Sequence, residues 1–460
     1  MNNIVTDPEK IEEVLERGKE NIFPSKDILR EKLKSGEKIR LYCGFDPSAP
    51  SLHIGNAAML NKLSQFQKLG HEVIFLVGDF TGMIGDPTDK PTTRKKMTRE
   101  EVLKNAEGYK KQASGYLKFD GENPAKIRHN SEWLDKLTFK DLIEIASKFT
   151  LQQMINRNMF KRNLAVVKCR HCGHEWQAPR QLGSIESFKS TKGVKTTCPN
   201  CGNTTWVDKS KIEIKETDQL RETPIGFHEL LYPLAQGYDS VAMNVDLEIG
   251  GNDQMFNMLV GRDLQKMINH KEKFVMTLKL LADETGKKMG KTEGNAVFLD
   301  QEPEDMYVAV MKWTDGVTPI GFEMLTDIPI EEIEKIKAAL NESEQDPRDF
   351  KMRLAYEIVK INHGEEAAKE AQDYYVKTRQ EKEIPDEVEP SPAPPEFFLT
   401  DFMVKYDLAT SKSDARRKIE QGGVSIGGEK IEDYNYELGE SDNGKVIKVG
   451  KFDFRKIVIE

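Results

Sequence analysis

The sequence lacks the features of membrane-spanning and disulfide-stabilised proteins. No apolar run approaches the roughly 18 residues that a transmembrane helix needs, and the first ten residues lack a basic segment followed by an apolar one. Only five of the 460 residues are cysteine. Four of them form two Cys-x-x-Cys pairs, which favours a reduced compartment and a metal over disulfides. We therefore expect a cytoplasmic protein with no membrane partner.

The chain also lacks an overall positive charge. Its formal net charge of −9 argues against a uniformly basic nucleic-acid binder. Charge is distributed unevenly, however, because basic residues outnumber acidic ones between 161 and 195. Partners must therefore be inferred from local patterns. The length exceeds that of a single hydrophobic core, and we expect about two to four domains.

A strand–helix–strand pattern is present near the N-terminus. Residues 39–45 have the composition of a strand, and a helix is expected after the proline-rich turn 46–50, with Ser51 as its cap and Gly70 as its stop. Residues 73–78 form a continuous apolar run, which is typical of a strand buried in a parallel sheet. In such a βαβ unit the ligand lies beyond the carboxyl ends of the strands.

Two short motifs indicate an ATP site. HIGN at residues 53–56 falls at the start of the expected helix, where backbone N–H groups and the His53 side chain can bind phosphate. KMGKT at residues 288–292 is one residue short of a P-loop when counted from Gly286, and it follows a polar turn, so we interpret it as a phosphate-contacting loop. The alternatives are a helix cap for His53 and a solvated lysine loop for the second motif.

Four further segments stand out in the sequence: YCGFDP at 42–47, TGMIGD at 81–86, YPLAQGYD at 232–239 and EIGGNDQ at 248–254. They resemble the tyrosyl-tRNA synthetases, which are class I enzymes, and the resemblance covers nearly the whole chain outside the cysteine insert. It implies an α/β fold with a Rossmann-type catalytic domain, and it implies L-tyrosine and ATP with Mg²⁺ as substrates.

The resemblance assigns roles to individual residues. Tyr42 and Asp239 would bond the substrate phenol, Asp86, Tyr232 and Gln236 would hold its α-ammonium group, and Gln254 would face its carboxylate. The implied ATP-binding residues are Cys43, Gly44, Asp46, His53, Asn56, Gly251, Asp253 and Lys291, and the implied catalytic residues are His53, Lys90, Arg94, Lys288, Lys291 and Thr292.

The spacing of the implied amino-acid-binding residues supports one shared surface. Tyr232, Gln236 and Asp239 recur at i, i+4 and i+7, which is one face of a helix. The alternative is an ordinary amphipathic helix with a solvated polar face. Two departures from the family pattern stand out: Asn56 replaces a common histidine, and Glu248 replaces a common glutamine. We expect Glu248 to add a carboxylate near the ribose side, and we expect activity to survive both changes.

The cysteine pairs predict a structural metal site. Cys169, Cys172, Cys198 and Cys201 form two knuckles, each followed by glycine, and four thiolates would bind Zn²⁺ in a closed tetrahedral site. The alternatives are a redox dithiol or ligation by His171 or His174. The basic loop between the knuckles would contact either tRNA or solvent.

The C-terminal segment resembles an S4-type RNA-binding domain. Lys412, Arg416 and Arg417 would lie close together on a helix expected at 411–421, where they could contact phosphates. A solvated basic helix is the alternative.

These inferences combine into one domain scheme. A Rossmann-type catalytic domain spans 1–300, with a zinc-ribbon-like insert at 161–212. A helical anticodon-binding domain at 301–383 and a stiff proline-rich linker at 384–395 precede a small α+β S4-like domain at 396–460.

By resemblance, the function is that of a tyrosine–tRNA ligase. Its partner would be tRNA(Tyr), and it would act as a homodimer. The rival functions are a tryptophan–tRNA ligase and a paralogue that binds RNA without catalysing ligation. The Tyr42/Asp239 pair and the S4-like segment argue against the first rival, and the nearly complete ATP site argues against the second.

Overall fold

The computed structural model divides the chain into two compact units, Met1–Leu281 and Ala282–Glu460. Within its described ranges no helix is long and apolar enough to cross a membrane. The described residues are 4–86, 97–155, 161–168, 172, 175–177, 193–197, 200–201, 204–208, 213–220, 227–282, 296–342, 346–380, 388–450 and 453–460.

Helices and strands alternate through the first part of the first unit. Several helices begin at a side chain that accepts from the first turn, such as Asp7, Ser25 and Thr98. The elements are α1 Pro8–Glu16, β1 Lys19–Phe23, α2 Lys26–Lys34, β2 Arg40–Phe45, α3 Ile54–Lys68, β3 Glu72–Val77, α4 Thr81–Ile84, α5 Arg99–Ala106, α6 Tyr109–Ala113, β4 Lys126–His129, α7 Ser131–Leu134, α8 Phe139–Ala146 and α9 Leu151–Ile155.

The cysteine insert is built from short antiparallel strands. The strands are β5 Lys161–Lys168, β6 Glu175–Gln177, β7 Gly193–Thr197, β8 Thr204–Asp208 and β9 Glu213–Leu220. Among the described residues, β5 pairs with both β6 and β9, and β7 pairs with β8. Cys172 lies between β5 and β6, and Cys201 lies between β7 and β8.

One six-stranded sheet forms the centre of the first unit. Its strand order is β1-β11-β10-β2-β3-β4, and every neighbouring pair is parallel except β1 with β11. This arrangement confirms the expected Rossmann-type sheet. The remaining elements of the unit are α10 Phe227–Ala242, β10 Leu247–Gly251, a 3-10 turn Asn252–Gln254, α11 Met255–Asn269 and β11 Phe274–Leu278.

The predicted βαβ unit is confirmed, because β2 and β3 pair in parallel from Arg40↔Glu72 to Phe45↔Val77. The cap prediction was wrong, since α3 begins at Ile54 and its cap is His53. A histidine can replace serine here because its ring nitrogen accepts a hydrogen bond from the first turn. The predicted end of this helix at Gly70 was correct. α3 ends at Lys68, and Gly70 has a φ of 93°, a conformation that favours glycine.

The second unit begins with a run of helices, which agrees with the helical periodicity of its sequence. In α15, for example, Leu354, Ala355, Ile358 and Val359 are buried at the spacing of one helical face. The elements are α12 Pro303–Met311, α13 Val317–Leu325, α14 Ile330–Glu342, α15 Pro347–His363, α16 Glu365–Tyr375 and a π-helical turn Val376–Gln380.

The C-terminal segment has its own core, which includes Leu399, Phe402, Ala415 and Ile447. Its strand order is β12-β18-β17-β14-β15, with β13 and β16 as a separate pair. The elements are β12 Pro390–Ala393, β13 Phe397–Phe398, α17 Leu399–Lys405, α18 Lys412–Glu420, β14 Val424–Ile426, β15 Glu429–Lys430, β16 Glu437–Leu438, β17 Val446–Val449 and β18 Asp453–Ile459.

Part of the predicted linker is an edge strand instead. Pro390–Ala393 pairs in parallel with β18, from Pro390↔Lys456 to Ala393↔Ile459. Prolines are tolerated there because an edge strand leaves one row of N–H positions unpaired. The chain is extended, as expected, but these residues belong to the C-terminal sheet. The remaining domain boundaries stay predictions.

Candidate functional site

Buried polar side chains from the central strands β2 and β10 and from the helix α10 lie close together. Tyr42 lies on β2, Asp239 and Ser240 lie on α10, and Glu248 lies on β10, and each is at most 2% exposed. On the predicted polar face of α10, Tyr232 and Asp239 are buried and Gln236 is partly buried, so this face is not an ordinary solvated surface. Buried polar groups need partners, and these side chains supply them for one another.

The first network joins Tyr42 to an ion pair. The Tyr42 hydroxyl lies 2.9 Å from Ser240 Oγ, and the Lys273 ammonium donates to the same oxygen at 2.8 Å. Lys273 also pairs with Glu248, whose other oxygen accepts from Gln236 Nε2 at 3.2 Å. Burial and the Glu248 charge raise the pKa of Tyr42 well above its usual value, so its hydroxyl stays protonated.

The second network surrounds Asp239. The Trp133 indole donates to Asp239 Oδ1 at 2.8 Å, and Asn130 Nδ2 lies 3.4 Å from Oδ2. Burial raises the pKa of the Asp239 carboxyl well above its usual value, while these two donors lower it. Tyr42 and Trp133 also pack in the cluster that includes Ile74 and Met243. Asp239 is thus a carboxyl held at an apolar wall.

A third network crosses from β2 to α10 and α4. Asp46 accepts from the Tyr232 hydroxyl at 2.7 Å and from the Thr81 hydroxyl at 2.6 Å. Asn130 Nδ2 donates to Thr81 at 2.9 Å, which connects this network to that of Asp239. Asp46, predicted to bind ATP, therefore contacts a residue predicted to bind the amino acid.

A fourth network gathers the other predicted amino-acid ligands. Gln254 Nε2 donates to Asp86 at 2.5 Å. The Asn257 amide donates to Gln254 at 3.0 Å and to Gln236 at 2.8 Å, and Gln236 continues to Glu248. An unbroken chain of hydrogen bonds therefore runs from Asp86 to Glu248.

His53 and Asn56 form the cap at the start of α3, where the sequence predicts phosphate binding. His53 Nδ1 accepts from the Gly55 amide at 3.0 Å, and Asn56 Oδ1 accepts from the His53 amide at 3.0 Å. The cap interpretation of His53 is therefore correct as far as Nδ1 is concerned. A neutral ring that accepts at Nδ1 carries its proton on Nε2, so Nε2 is the atom able to donate to a phosphate.

The remaining predicted ATP residues differ in exposure. Cys43 is buried, which raises the pKa of its thiol, whereas Gly44 is exposed. Gly251 is the last residue of β10. A Cβ atom at this position would lie 2.5 Å from Asp253 Oδ1. The predicted residues Lys90, Arg94, Lys288, Lys291 and Thr292 lie outside the described residues.

The Glu248 carboxylate lies under α10, where it pairs with Lys273 and accepts a hydrogen bond from Gln236 Nε2. Its expected place near the ribose of ATP stays a prediction. Side chains alternate between the two faces of a strand, and Lys273 precedes the adjacent strand β11. The buried ammonium stabilises the carboxylate on that face.

The two knuckles of the insert approach each other. The Asn200 amide lies 3.7 Å from Cys172 Sγ, which brings the turn before Cys201 to the first knuckle. Cys169 and Cys198 lie outside the described residues. Among the side chains that are described, no group of three or more His, Cys, Asp and Glu residues is arranged to hold a metal.

The predicted RNA-binding residues of α18 are not equivalent. Lys412 pairs with Asp401 at 2.5 Å, and Arg417 pairs with Asp414 at 2.5 Å. The guanidinium of Arg416 instead lies 5.3 Å from the ring centroid of Tyr434, an exposed aromatic side chain.

Sequence reasoning missed several residues that organise the site. Ser240 directly follows Asp239 and could have been noticed as the next position of the same motif. Trp133 and Asn130 lie in a segment with no motif, and Lys273 precedes an apolar run. Lysine is normally exposed, so its position alone gave no sign of burial.

Comparison with known proteins identifies the class. Residues 34–169 and 199–379 match the family described as tRNA synthetases class I (W and Y), and 382–453 match the tyrosine–tRNA ligase SYY-like C-terminal domain. The chain belongs to this class I tRNA synthetase family. The match omits 170–198, the middle of the cysteine insert.

Full-length relatives narrow the class to tyrosine–tRNA ligases. The chain is 38% identical to the tyrosine–tRNA ligase of Thermotoga maritima, covering 98% of both chains. It is 37% identical to the Aquifex aeolicus enzyme of the same name, over 98% of this chain and 99% of that one. These comparisons confirm the resemblance noted in the sequence.

Solved structures agree on the fold. A tyrosyl-tRNA synthetase from Archaeoglobus fulgidus, in complex with L-tyrosine, superposes with a TM-score of 0.54 at 18% identity, covering 80% of this chain and all (100%) of that one. The truncated mitochondrial enzyme of Aspergillus nidulans gives 0.57 at 19% identity, covering 80% and 93%.

Substitution of Gly78 tests the hydrogen-bond network around Asp46. A Cβ atom there would lie 2.0 Å from Asp46 Oδ1 and 2.5 Å from Thr81 Oγ1, the two atoms joined by a hydrogen bond. We expect Gly78→Ala to lower the free energy of unfolding by about 1–3 kcal/mol in urea titrations. In the control Gly44→Ala, the nearest atom is 3.8 Å from the new Cβ. The free energy of unfolding of this variant should therefore stay within about 1 kcal/mol of the wild-type value. Equal stability of the two variants would contradict the assignment.

Proposed function

We propose that the protein activates L-tyrosine with ATP and transfers the tyrosyl group to the 3′ end of tRNA(Tyr). The observation that carries this proposal is that Tyr42 and Asp239 are both buried, with Tyr42 in an apolar cluster against which Trp133, a hydrogen-bond donor to Asp239, also packs. A phenol hydroxyl both donates and accepts, so its recognition needs an acceptor and a donor in an apolar pocket. Phenylalanine has no hydroxyl and could form neither hydrogen bond, which costs binding energy.

The other end of the amino acid is assigned to the linked amide and carboxylate groups. An α-ammonium group needs acceptors with at least one negative charge, and Asp86, Tyr232 and Gln236 are proposed to provide them. Gln254 is proposed to face the substrate carboxylate. Its hydrogen bond to Asp86 supports this arrangement, because one contact then orients both side chains.

The activation step joins these sites to ATP. A carboxylate oxygen of tyrosine attacks the α-phosphorus, a new P–O bond forms, and the bond to the leaving pyrophosphate breaks. Mg²⁺, which typically accompanies ATP in this family, would neutralise charge on the phosphates. His53 and Asn56 would bind ATP at the start of α3, with Lys90, Arg94, Lys288, Lys291 and Thr292 as the further proposed phosphate contacts. Such catalysis relies on positioning and on stabilising developing charge.

The transfer step uses the tyrosyl-adenylate formed in this way. A terminal ribose hydroxyl of tRNA attacks the carbonyl carbon, AMP leaves, and the hydroxyl proton is released. No covalent enzyme intermediate is needed. Cys43, Gly44, Asp46, Gly251 and Asp253 are the proposed nucleotide contacts that hold the adenylate meanwhile. The exposure of Gly44 supports this role for the end of β2.

Amino-acid-dependent ATP–pyrophosphate exchange tests the activation step. We expect exchange with tyrosine and very little with phenylalanine or tryptophan. Gly44→Ala should raise the KM for ATP more than the KM for tyrosine, because its methyl group enters the proposed nucleotide site. Exchange with tryptophan alone would favour a tryptophan–tRNA ligase. The absence of exchange with any of the three would favour an RNA-binding paralogue.

The C-terminal segment is proposed to bind tRNA through an S4-type surface. Arg416 and the exposed Tyr434 offer a cation beside an aromatic ring, a combination suited to stacking on unpaired bases. The helices of the proposed domain 301–383 would contact the anticodon region. A protein with this activity is proposed to work in the cytoplasm, where tRNA is charged.

Transfer kinetics test the S4-type surface. We expect Arg416→Ala to raise the KM for tRNA several-fold while tyrosine-dependent exchange, which needs no tRNA, stays unchanged. Arg455→Ala is the matched control, since its guanidinium pairs with Glu389 at 3.5 Å in the same segment. An Arg416→Ala variant with the same KM for tRNA as the control would exclude this surface.

The insert is proposed to hold a structural Zn²⁺ ion through Cys169, Cys172, Cys198 and Cys201. Cys172 lies between the paired residues Lys168↔Glu175, and Cys201 lies between the paired residues Thr197↔Thr204. The contact from Asn200 to Cys172 links the two segments and supports the proposal. Four thiolates would leave no open coordination position, so the ion would stabilise the insert without taking part in the reaction.

A homodimer is proposed from exposed apolar side chains. Phe139 and Ile143 lie one turn apart on α8, and Leu151 begins α9; they are 77%, 55% and 59% exposed. Phe227, at the start of α10, is 74% exposed. Apolar surface of this kind in a folded protein marks an interaction site, and a second copy of the chain is the proposed occupant.

Native mass spectrometry tests both assembly proposals in one measurement. We expect the mass of a dimer with one zinc ion per chain. Cys172→Ser should lose the zinc, and Cys43→Ser, which alters a buried thiol of the central sheet, should keep it. A monomer at micromolar concentration would contradict the dimer, and less than about half an equivalent of zinc per chain would contradict the metal site.

A further inference from the structure

A buried ion pair below the amino-acid site has no role in the mechanism described above. The Lys273 side chain is 0% exposed and that of Glu248 is 3% exposed. Burial lowers the pKa of Lys273, while the Glu248 charge raises it. An unpaired buried charge would be strongly destabilising, so the two residues form a unit with no net charge.

The close crossing of α10 and α11 makes room for this unit. A Cβ atom on Gly261 would lie 2.7 Å from Lys273 Nζ, 2.9 Å from Ser240 Oγ and 3.2 Å from the Cα atom of Gly237. Only glycine at 261 therefore lets the ammonium reach Ser240 and Glu248 together.

The ammonium fixes the direction of the neighbouring hydrogen bonds. Lysine can only donate, so Ser240 Oγ accepts from Lys273 at 2.8 Å. The single Ser240 proton then points either to the Tyr42 oxygen at 2.9 Å or to Glu248 at 3.4 Å. The shorter contact favours Tyr42 as the acceptor. The proton of the Tyr42 hydroxyl is then directed away from Ser240.

We infer that Lys273, Glu248 and Ser240 are positioning residues that make Tyr42 a hydrogen-bond donor toward the substrate phenol. The inference rests on the proposed function. Tyr42 then donates a hydrogen bond to the phenol oxygen, and Asp239 accepts one from the phenol O–H, so the two sides of the pocket have opposite polarity. Phenylalanine satisfies neither side. Discrimination between the two amino acids thus depends on a lysine that never contacts them.

Two changes interrupt this relay at different points. Ser240→Ala removes the donor to Tyr42 and leaves the ion pair in place. The double variant Lys273→Met/Glu248→Gln removes both charges together, so no lone charge is buried. The matched control is Arg262→Gln/Glu272→Gln, an ion pair of 2.5 Å that is partly exposed and adjacent in sequence to Lys273.

Exchange kinetics with tyrosine and phenylalanine provide the readout. For Ser240→Ala and for the double variant, we expect the tyrosine-to-phenylalanine ratio of kcat/KM to fall roughly 3- to 10-fold, the effect of about one hydrogen bond. The loss should come from the KM for tyrosine, with the KM for ATP unchanged. Combining all three substitutions should add little further, because they interrupt the same relay. The control pair should keep the wild-type ratio.

The outcomes separate this inference from the proposed function. A wild-type protein that shows no tyrosine-dependent exchange refutes the function itself. The relay is refuted if the wild type is active and both Ser240→Ala and the double variant keep its tyrosine-to-phenylalanine ratio of kcat/KM and its KM for tyrosine. If the double variant fails to fold, Ser240→Ala still decides, with tyrosine affinity also measured by equilibrium dialysis without ATP.

Discussion

The site depends on one physical constraint: polar groups buried at the end of an apolar sheet must satisfy one another. Tyr42, Asp239 and Glu248 are nearly inaccessible to water, so each must find its partners within the protein. The result is a set of linked networks rather than isolated ligands. Asn130 connects Asp239 to Asp46, and Gln236 connects Glu248 to Asp86.

This linkage supports the proposal that one pocket binds both ends of tyrosine. At the proposed phenol end, burial raises the pKa of Tyr42, which keeps its hydroxyl protonated. At the proposed ammonium end, Asn257 orients the amides of Gln236 and Gln254. The helices α10 and α11 cross closely at Gly237 and Gly261, where neither position has room for a Cβ atom without a shift.

The insert shows how a family fold accepts an addition. The family match breaks at 170–198, within antiparallel strands that pair only among themselves in the part of the chain that the structure describes. The central parallel sheet keeps its order on either side. An additional folding unit is tolerated at such a position because few contacts of the main core cross it.

The sequence by itself predicted the strand–helix–strand start and the class I family, and it placed the proposed tyrosine-binding residues Tyr232, Gln236 and Asp239 on one helix. Continuous apolar runs and short motifs are local properties, and each appears within a few consecutive residues. Only the tertiary structure decided that His53 caps α3, that Pro390–Ala393 joins a sheet, and that Glu248 pairs with Lys273. Those outcomes depend on which distant residues share a buried space, and no local pattern records that.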